Sequence, residues 1–296
     1  MTAKSRRFWA VDVLYLVMAI LPVVAIVVLK ILTATPAEGI SITGAQIYFT
    51  IPMPLQDLPI TEAQVNSWAV VISLLFICLY FVHGIARRPG TKRQFIAEWI
   101  VEKCDWLVKE NMGSYFDGYG AFIIAIMGLS ALSSLLSLLG LFPPTSDMNV
   151  VGGWAILVFA LITYYKFKCG PLYYLKGFTE PVAVLLPLNI IGEIATPVSM
   201  AFRHYGNVLS GSVISVLVAA GLQGLSAMVF GWLPGFLGES ELLRIGLPAV
   251  LSLYFDIFSG CLQAFIFAML TMLNVSGAFP QEDYEKRKLK KLSKNK

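Results

Sequence analysis

The chain of 296 residues is 57% hydrophobic and only 14% charged, and its formal net charge is +4. This composition excludes an ordinary water-soluble domain and predicts an all-α polytopic membrane protein with about six membrane segments. Four cysteines without paired spacing favour neither a disulfide framework nor a thiolate metal site. Two histidines are enough to bind haem, but His83 lies at a membrane edge beside two arginines, so no metal or other cofactor is expected.

The first apolar run covers residues 8–32 and follows three basic residues. A signal peptide is one interpretation, but its apolar region has only about 7–15 residues, and this run is longer. The run also contains Asp12 and Lys30, and no clean cleavage site follows it. We therefore predict an uncleaved membrane helix. A mixed segment at 34–66, which contains no Lys or Arg, leads to a second span at 67–86.

Residues 87–118 are basic and contain an amphipathic stretch. Its apolar side holds Phe95, Ile96, Trp99, Ile100, Trp106 and Leu107. The other side holds Glu98, Glu102, Asp105 and Lys109. This pattern predicts one interfacial amphipathic helix that lies on the membrane, with a soluble partner-binding helix as the alternative.

Four further spans are predicted at 119–142, 150–165, 181–230 and 246–275. Small residues in the first of these suit close helix packing in lipid. The segment 181–230 is too long for one perpendicular crossing, so it needs tilt or a kink, and Pro187 and Pro197 are the candidate kink points. With the last segment it forms a pair of long tilted hairpin helices. The basic tail is predicted to be disordered.

The basic residues also predict the orientation. If six crossings leave both termini on one side, that side holds 19 of the 22 Lys and Arg residues. The exceptions are Lys30, Arg203 and Arg244. The positive-inside rule makes that side cytoplasmic. Topology and contact with membrane lipid explain the basic segments, and no nucleic-acid partner is expected.

A fixed positive charge stands in the middle of the segment 187–220. A guanidinium does not lose its proton at any reachable pH, and an Arg at a helix centre costs about 2.5–3.5 kcal/mol on insertion scales. Ser199, Asn207 and Ser210 fall on the same helical face as Arg203, and the flanking residues are apolar. Such a polar line faces a cavity, an ion path or a partner; a snorkelling or structurally paired Arg is the alternative.

A second polar line lies in the last segment, where Asp256, Ser259, Gly260 and Gln263 recur at helical spacing. A carboxyl at this depth is disfavoured as an anion unless it is hydrated or paired, which suits a group that takes up and releases protons. A structural hydrogen bond is the alternative. Glu193, ten residues before Arg203, is either a functional acid or a carboxylate at headgroup level. The charges fit two half-paths separated by a cation.

Two motifs lie on these helices, AFRHYGN and LQAFIFAMLTML. Together with PGTKRQFIAEWIVEKCDWLVKENMG, PTSDMNV and YLKGFTEPVAVLLPLNIIGEIA, they resemble subunit a of F-type ATP synthases, the stator of a membrane motor. The resemblance covers roughly residues 45–278. It implies an extra N-terminal membrane helix at 1–33, a subunit a-like membrane domain at 34–278 and a basic cytoplasmic tail at 279–296.

The resemblance also implies site residues. Arg203 matches the family's essential arginine, Asn207 the Asn of its R-L-F-G-N motif, and Gln263 the Gln of its Q-A-F-I-F motif. Asp256 falls where the family usually has His or Glu in an outer half-channel. Glu193 matches an acid that some bacterial members have near the inner exit. Ser199, Ser210 and Ser259 are expected to support the polar lines.

Three departures from the family pattern matter. His204 and Tyr205 replace the usual Leu-Phe, and a regular helix points His204 away from Arg203, so no relay role is expected. Ser212 stands where Glu or His is frequent, which makes Asp256 the main outer carrier. The first helix is extra and moves the N-terminus to the inner side.

The resemblance implies a non-catalytic, ion-translocating subunit of a bacterial inner-membrane complex. Its expected partners are a ring of c subunits with membrane carboxyls, the peripheral-stalk b subunits and the other F-type ATP synthase subunits. An ion enters past Asp256, neutralises a ring carboxylate and leaves near Glu193, while Arg203 blocks direct leakage. Nucleotide chemistry belongs to other subunits, and this sequence has no G-x-x-x-x-G-K loop. The coupling ion is a proton or sodium.

Two other functions are compatible with parts of the pattern. A secondary transporter would bind an anionic substrate at Arg203, but it predicts internal repeats, and none is convincing here. An intramembrane serine protease would pair His204 with Ser210 or Ser212, which have poor dyad spacing on one helix.

Overall fold

The computed structural model describes residues 3–33, 44–54, 56–85, 90–168, 170–171, 174, 177–179, 183–232, 246–281 and 284–286. These ranges contain six helices that are long and apolar enough to cross a membrane: Trp9–Thr33, Glu62–Val82, Gly120–Leu139, Met148–Phe167, Leu186–Phe230 and Ala249–Ala278. The prediction of an all-α polytopic membrane protein is therefore confirmed. Arg87, Arg88, Arg244 and most of the predicted disordered tail lie outside the described residues.

The first two spanning helices form an antiparallel pair that is fixed by charges at both ends. Helix α1 is Ala3–Thr33 and helix α2 is Glu62–Val82. At one end Lys30 Nζ lies 2.8 Å from Glu62 Oε1. At the other end Asp12 binds both Arg93 and His83, each at 2.8 Å. These two ends define what we call the hairpin side, at Glu62, and the basic side, at His83.

A small β-hairpin precedes α2 on the hairpin side, within the segment that the sequence marks only as mixed. Strand β1, Ile47–Ile51, pairs antiparallel with β2, Leu58–Thr61. Ile47, Phe49 and Ile51 alternate along β1, but the strands have only five and four residues, too few for this alternation to identify a strand in a mixed segment.

The predicted amphipathic helix is present as α3, Lys92–Met112. The hydroxyl of Thr91 caps its first turn by accepting from the Gln94 backbone N–H at 3.3 Å. One face, which includes Val108 and Met112, is buried against the bundle, whereas the aromatic side chains that the sequence assigned to the lipid face are exposed: Phe95, Trp99 and Trp106. The position of α3 on the membrane surface stays a prediction.

The middle of the bundle is formed by two short crossings. Helix α4, Gly120–Leu135, continues as a 3-10 turn to Leu139, and Gly140 ends it at φ 71°. Helix α5, Met148–Phe167, begins where the Asp147 side chain accepts from the Asn149 backbone N–H at 2.9 Å. The small side chains of α4 that face its neighbours are buried, as expected for close packing: Ser130, Ser133 and Ser134.

The last two spans are the long ones. Helix α6, Leu186–Phe230, has 45 residues. Pro187 lies in its first turn, where no N–H is needed, and the helix continues on both sides of Pro197. At 1.5 Å per residue α6 is about 68 Å long, roughly twice the thickness of the hydrocarbon core. A tilted crossing is therefore required.

The final span is not a uniform α-helix. It begins as α7, Leu247–Ser252, passes through a π-helix at Leu253–Ser259 and ends as α8, Gly260–Ala278. The main apolar core joins α8 to α3, α4 and α5, with Ile123, Val158, Phe267 and Met272 at its centre. Helix α6 lies at the edge of this core. Only 6% of the residues in its most apolar stretch are buried, against 33% in the corresponding stretch of α4.

Candidate functional site

Arg203 projects from the surface of the bundle. Its side chain is exposed, and it makes no ion pair or hydrogen bond with any residue that the structure describes. Ser199 and Ser210 are exposed on the same side, whereas Met200 and His204 on the opposite side are buried. Ser199, Arg203 and Ser210, which we call the Arg203 stripe, therefore face away from this chain.

Charged residues are few within the six spans, and they fall into two groups. Five are ion-paired within the chain: Asp12, Lys30, Glu62, Lys166 and Glu193. The other two, Arg203 and Asp256, have no ion-pair partner among the described residues. An unpaired charge in a membrane is costly, so these two positions require a partner, water or an ion from outside the chain.

The two polar lines of the sequence meet at one contact. The Asn207 side-chain amide donates to the Ser259 hydroxyl at 2.8 Å, which joins α6 to the π-helix. One turn further along α6, a Cβ atom on Gly211 would come within 2.9 Å of the Phe255 ring. The two helices can approach this closely only because Gly211 has no side chain.

The π-helix runs through the part of the second line that holds Asp256 and Ser259. The sequence predicts that Asp256, Ser259, Gly260 and Gln263 share one face, and all four lie on the less exposed side of the final span, whereas Phe258 and Leu262 on the other side are exposed. Asp256 is half-buried and accepts from the Ser252 hydroxyl, and Gln263 is only 4% exposed on α8. Of the predicted site residues, Asn207 and Ser259 form the hydrogen bond between the two long spans, and Ser210 donates to the Asn207 carbonyl within α6.

His204 is buried in the core and not in the polar line. Its Nε2 atom lies 3.3 Å from the Ser130 hydroxyl on α4, and its ring packs edge-on against Trp154 and Phe267. The expectation that His204 points away from Arg203 is confirmed. The hydroxyls of Ser210 and Ser212 donate to carbonyls of their own helix, so no protease dyad forms.

Glu193 lines a cavity of about 510 Å³ on the basic side. Its Oε1 atom accepts from Lys166 Nζ at 2.9 Å and from the Tyr174 hydroxyl at 3.1 Å. Burial, together with the neighbouring carboxylate, raises the pKa of Tyr174 to about 12, so its hydroxyl stays protonated at physiological pH. The rest of this Glu193 cavity is lined by the start of α6 and the end of α8, including Asn189, Thr196, Gly277 and Pro280.

A second polar cavity, of about 630 Å³, opens between the β-hairpin, α2 and α5. Asp57 and Asp147 contribute its carboxylates, and Gln64 and Asn149 add amides. The cavity reaches Trp154, two turns into α5, where the ring meets His204. We call it the hairpin-side cavity. No three His, Cys, Asp or Glu side chains in the described part of the chain are grouped to hold a metal ion.

The sequence did not predict several of these features. Lys166 was explained by topology alone, and Tyr174, Asp57 and Asp147 were not singled out. Lys166 and Glu193 are 27 positions apart on different helices, and no local pattern links them. The one feature of the sequence that could have indicated this pair was a lysine at the apolar end of α5.

The family described as ATP synthase A chain matches residues 65–276. The chain is 26% identical over 275 residues to "ATP synthase subunit a, sodium ion specific" of Propionigenium modestum, covering 82% of this chain and 88% of that protein. It is 33% identical over 221 residues to ATP synthase subunit a of Desulforamulus reducens, covering 73% and 78%. It is 31% identical over 236 residues to ATP synthase subunit a of Priestia megaterium, covering 75% and 94%.

Proposed function

Since this chain belongs to the ATP synthase A chain family, we propose that it provides two offset half-channels, separated by Arg203, to a rotating ring of c subunits. The chain is a multi-pass membrane protein and a subunit of the F0 stator of an F-type ATP synthase. In the proposed arrangement it lies in a bacterial inner membrane with both termini in the cytoplasm. It also contacts peripheral-stalk b subunits, other subunits of the complex and lipid.

The unpaired state of Arg203 is the observation that carries this proposal. Its guanidinium is exposed on a membrane helix, and no described residue neutralises it. A carboxylate on a neighbouring chain would supply the missing charge. A ring subunit with a membrane carboxyl meets this requirement when it passes the Arg203 stripe. Once it has bound a proton it becomes neutral and can face lipid.

Each half-channel has a candidate cavity. On the hairpin side, the cavity with Asp57 and Asp147 and the unpaired carboxyl of Asp256 lie on the side from which ions would enter. On the basic side, the Glu193 cavity is the candidate exit to the cytoplasm. Glu193 and Arg203 are ten residues apart, about 15 Å along the helix. The two cavities therefore support two offset paths with a positive charge between them.

The coupling ion in this proposal is a proton. Lys166 places a fixed positive charge beside the Glu193 cavity, which disfavours a metal cation there. The second candidate is sodium, because the Propionigenium modestum relative is described as sodium ion specific. The ring, which is a different chain, supplies the ion-binding carboxyl.

The test is ATP-driven ion uptake by the whole complex in inverted membrane vesicles, measured with and without sodium. We expect Arg203→Ala to reduce coupled uptake to background at normal complex abundance. Arg93→Ala is the matched control, because Arg93 is ion-paired to Asp12, and uptake per assembled complex should survive. Coupled uptake that persists in Arg203→Ala would contradict the role of Arg203. Acidification without sodium identifies a proton, and sodium-dependent uptake of ²²Na identifies the second candidate.

A further inference from the structure

We propose that Lys166 and Tyr174 are positioning residues that hold one oxygen of Glu193 and leave the other oxygen to accept the departing proton. This inference rests on the proposed function, and it adds to the exit path two residues to which neither the sequence nor the resemblance assigned a role. It also assigns separate roles to the two oxygens of a single carboxylate.

Both donors meet the same atom. Lys166 Nζ and the Tyr174 hydroxyl bind Glu193 Oε1 at 2.9 and 3.1 Å. The second oxygen, Oε2, has no hydrogen-bond partner among the residues that the structure describes. The Glu193 side chain is 7% exposed and lines the cavity. An oxygen without a donor in a polar cavity of about 510 Å³ is suited to accept a proton from water or from a ring carboxyl.

The two donors come from different elements and restrict Glu193 from two directions. Lys166 is at the end of α5, and Tyr174 belongs to the connection between α5 and α6. The Tyr174 ring also lies 5.9 Å from Lys166 Nζ and 4.6 Å from the Phe167 ring, which holds the phenol beside the pair. The carboxylate is thereby fixed at the entrance to the cavity.

Few titratable groups surround Glu193 in the part of the cavity that the structure describes. Lys166, Tyr174 and Glu193 itself are the titratable groups in the described lining of the cavity. The end of α8 contributes Gly277, Ala278 and Pro280 to the lining, and none of these ionises. Lys166 therefore contributes the positive charge next to the carboxylate, with its Nζ atom 2.9 Å from Glu193 Oε1. Tyr174 remains a donor because the pKa of its phenol is about 12.

The Lys30–Glu62 pair provides a matched control. It too joins a lysine and a buried glutamate in the membrane at 2.8 Å, and Glu62 Oε1 also accepts a second donor, the Phe142 backbone N–H. It lies on the hairpin side, away from the Glu193 cavity. If Lys166 were only a structural link, Lys166→Met and Lys30→Met would have the same effect.

The experiment measures ATP-driven proton pumping per assembled complex in inverted vesicles, as a function of the pH on the basic side. We expect Lys166→Met to slow pumping about tenfold near neutral pH. Its pH profile should change as well, because the positive charge beside the cavity is lost. Lys166→Arg should restore the wild-type profile. Tyr174→Phe should slow pumping by a smaller factor with little shift, since no charge is lost.

Lys30→Met should leave both rate and profile unchanged after correction for complex abundance. A wild-type rate and profile in Lys166→Met, or an equal effect of the two lysine substitutions, would overturn the inference. Arg203→Ala in the same assay separates the two proposals. If Arg203→Ala abolishes pumping and Lys166→Met does not change it, only the positioning role fails. If Arg203→Ala still pumps, the proposed function fails.

Discussion

The paired and unpaired charges of this membrane bundle differ in more than their contacts. The Lys30–Glu62 pair and the Asp12 cluster join α1, α2 and the start of α3 inside the chain. Arg203 and Asp256 lie on the long helices at the edge of the core and have no ion-pair partner in the described residues. The Lys30–Glu62 and Asp12 pairs stabilise the fold of their own chain, whereas an unpaired charge depends on something that the chain does not contain. We therefore expect substitutions in the two groups to have different effects.

The unpaired acid should give the largest effect. Asp256→Asn keeps the size of the side chain and its contact with Ser252, but it removes the group that binds a proton. We expect coupled ion uptake to fall at least tenfold per assembled complex, with complex abundance near normal. Asp256→Glu should retain part of the activity. Normal ion uptake by vesicles that carry Asp256→Asn would show that Asp256 has a structural role and does not take part in ion transfer.

The Lys30–Glu62 pair should affect stability and leave transport per complex unchanged. Glu62 is 3% exposed, so Glu62→Leu leaves Lys30 without its partner and the Phe142 N–H without an acceptor. We expect a loss of about 1–3 kcal/mol, since the Phe142 N–H loses its acceptor and a partly exposed lysine loses its partner. The loss is measured as a lower thermal midpoint of the detergent-solubilised complex.

The double variant Lys30→Met with Glu62→Leu tests whether the two charges act as a unit. It should recover part of the stability lost in Glu62→Leu, because no isolated charge remains. Additive losses would contradict the pairing as an energetic unit. A change in ion uptake per complex would contradict the separation of the two groups.

The contact between the two long helices should give a smaller effect. Ser259→Ala removes the acceptor of the Asn207 amide, at a cost of about 1 kcal/mol. We expect ion uptake to slow two- to threefold, because Asn207 loses its fixed orientation while Arg203 and Asp256 remain. Asn207→Ala should be at least as severe. If Ser259→Ala abolished uptake, its hydroxyl would have to take part in ion transfer directly.

His204→Leu should have the smallest effect. The side chain is fully buried among Ser130, Trp154 and Phe267, and its Nδ1 atom has no hydrogen-bond partner among the residues that the structure describes. Leucine suits the aromatic neighbours and removes an unsatisfied polar atom, so the thermal midpoint should stay the same or rise. Ion uptake should remain within twofold of wild type. A large loss of uptake at normal complex abundance would show that His204 takes part in transport.

The membrane-spanning helices could be predicted from the sequence, because lipid requires each crossing to be an apolar helix of a minimum length. The runs that became α1, α2 and α6 were recognisable for this reason. The hairpin Ile47–Thr61 was not predicted, because its strands have only five and four residues and so carry too short an alternation of apolar residues. The π-helix was also missed, because a change of hydrogen-bond pattern leaves no trace in composition.

The candidate site could be predicted from the sequence only in part, because some of its residues stand out alone and others matter only through their contacts. An isolated Arg203 or Asp256 stands out because its cost in lipid depends on the residue alone. The Lys166–Glu193 pair depends on how α5 packs against α6, and the Asn207–Ser259 contact on how α6 packs against the π-helix. Contacts between helices that are distant in sequence require the packed structure.

The length of α6 sets a condition on any path that uses it. Its 45 residues contain only two charged side chains, Glu193 and Arg203, so neither end of the helix has the composition to project into water. A helix about twice as long as the hydrocarbon core is thick must then run mostly along the membrane plane. Its two ends are offset sideways by more than the thickness of the membrane. An ion that crosses the membrane along this helix must move farther in the membrane plane than across the membrane. A carrier that moves in the membrane plane would provide this lateral movement.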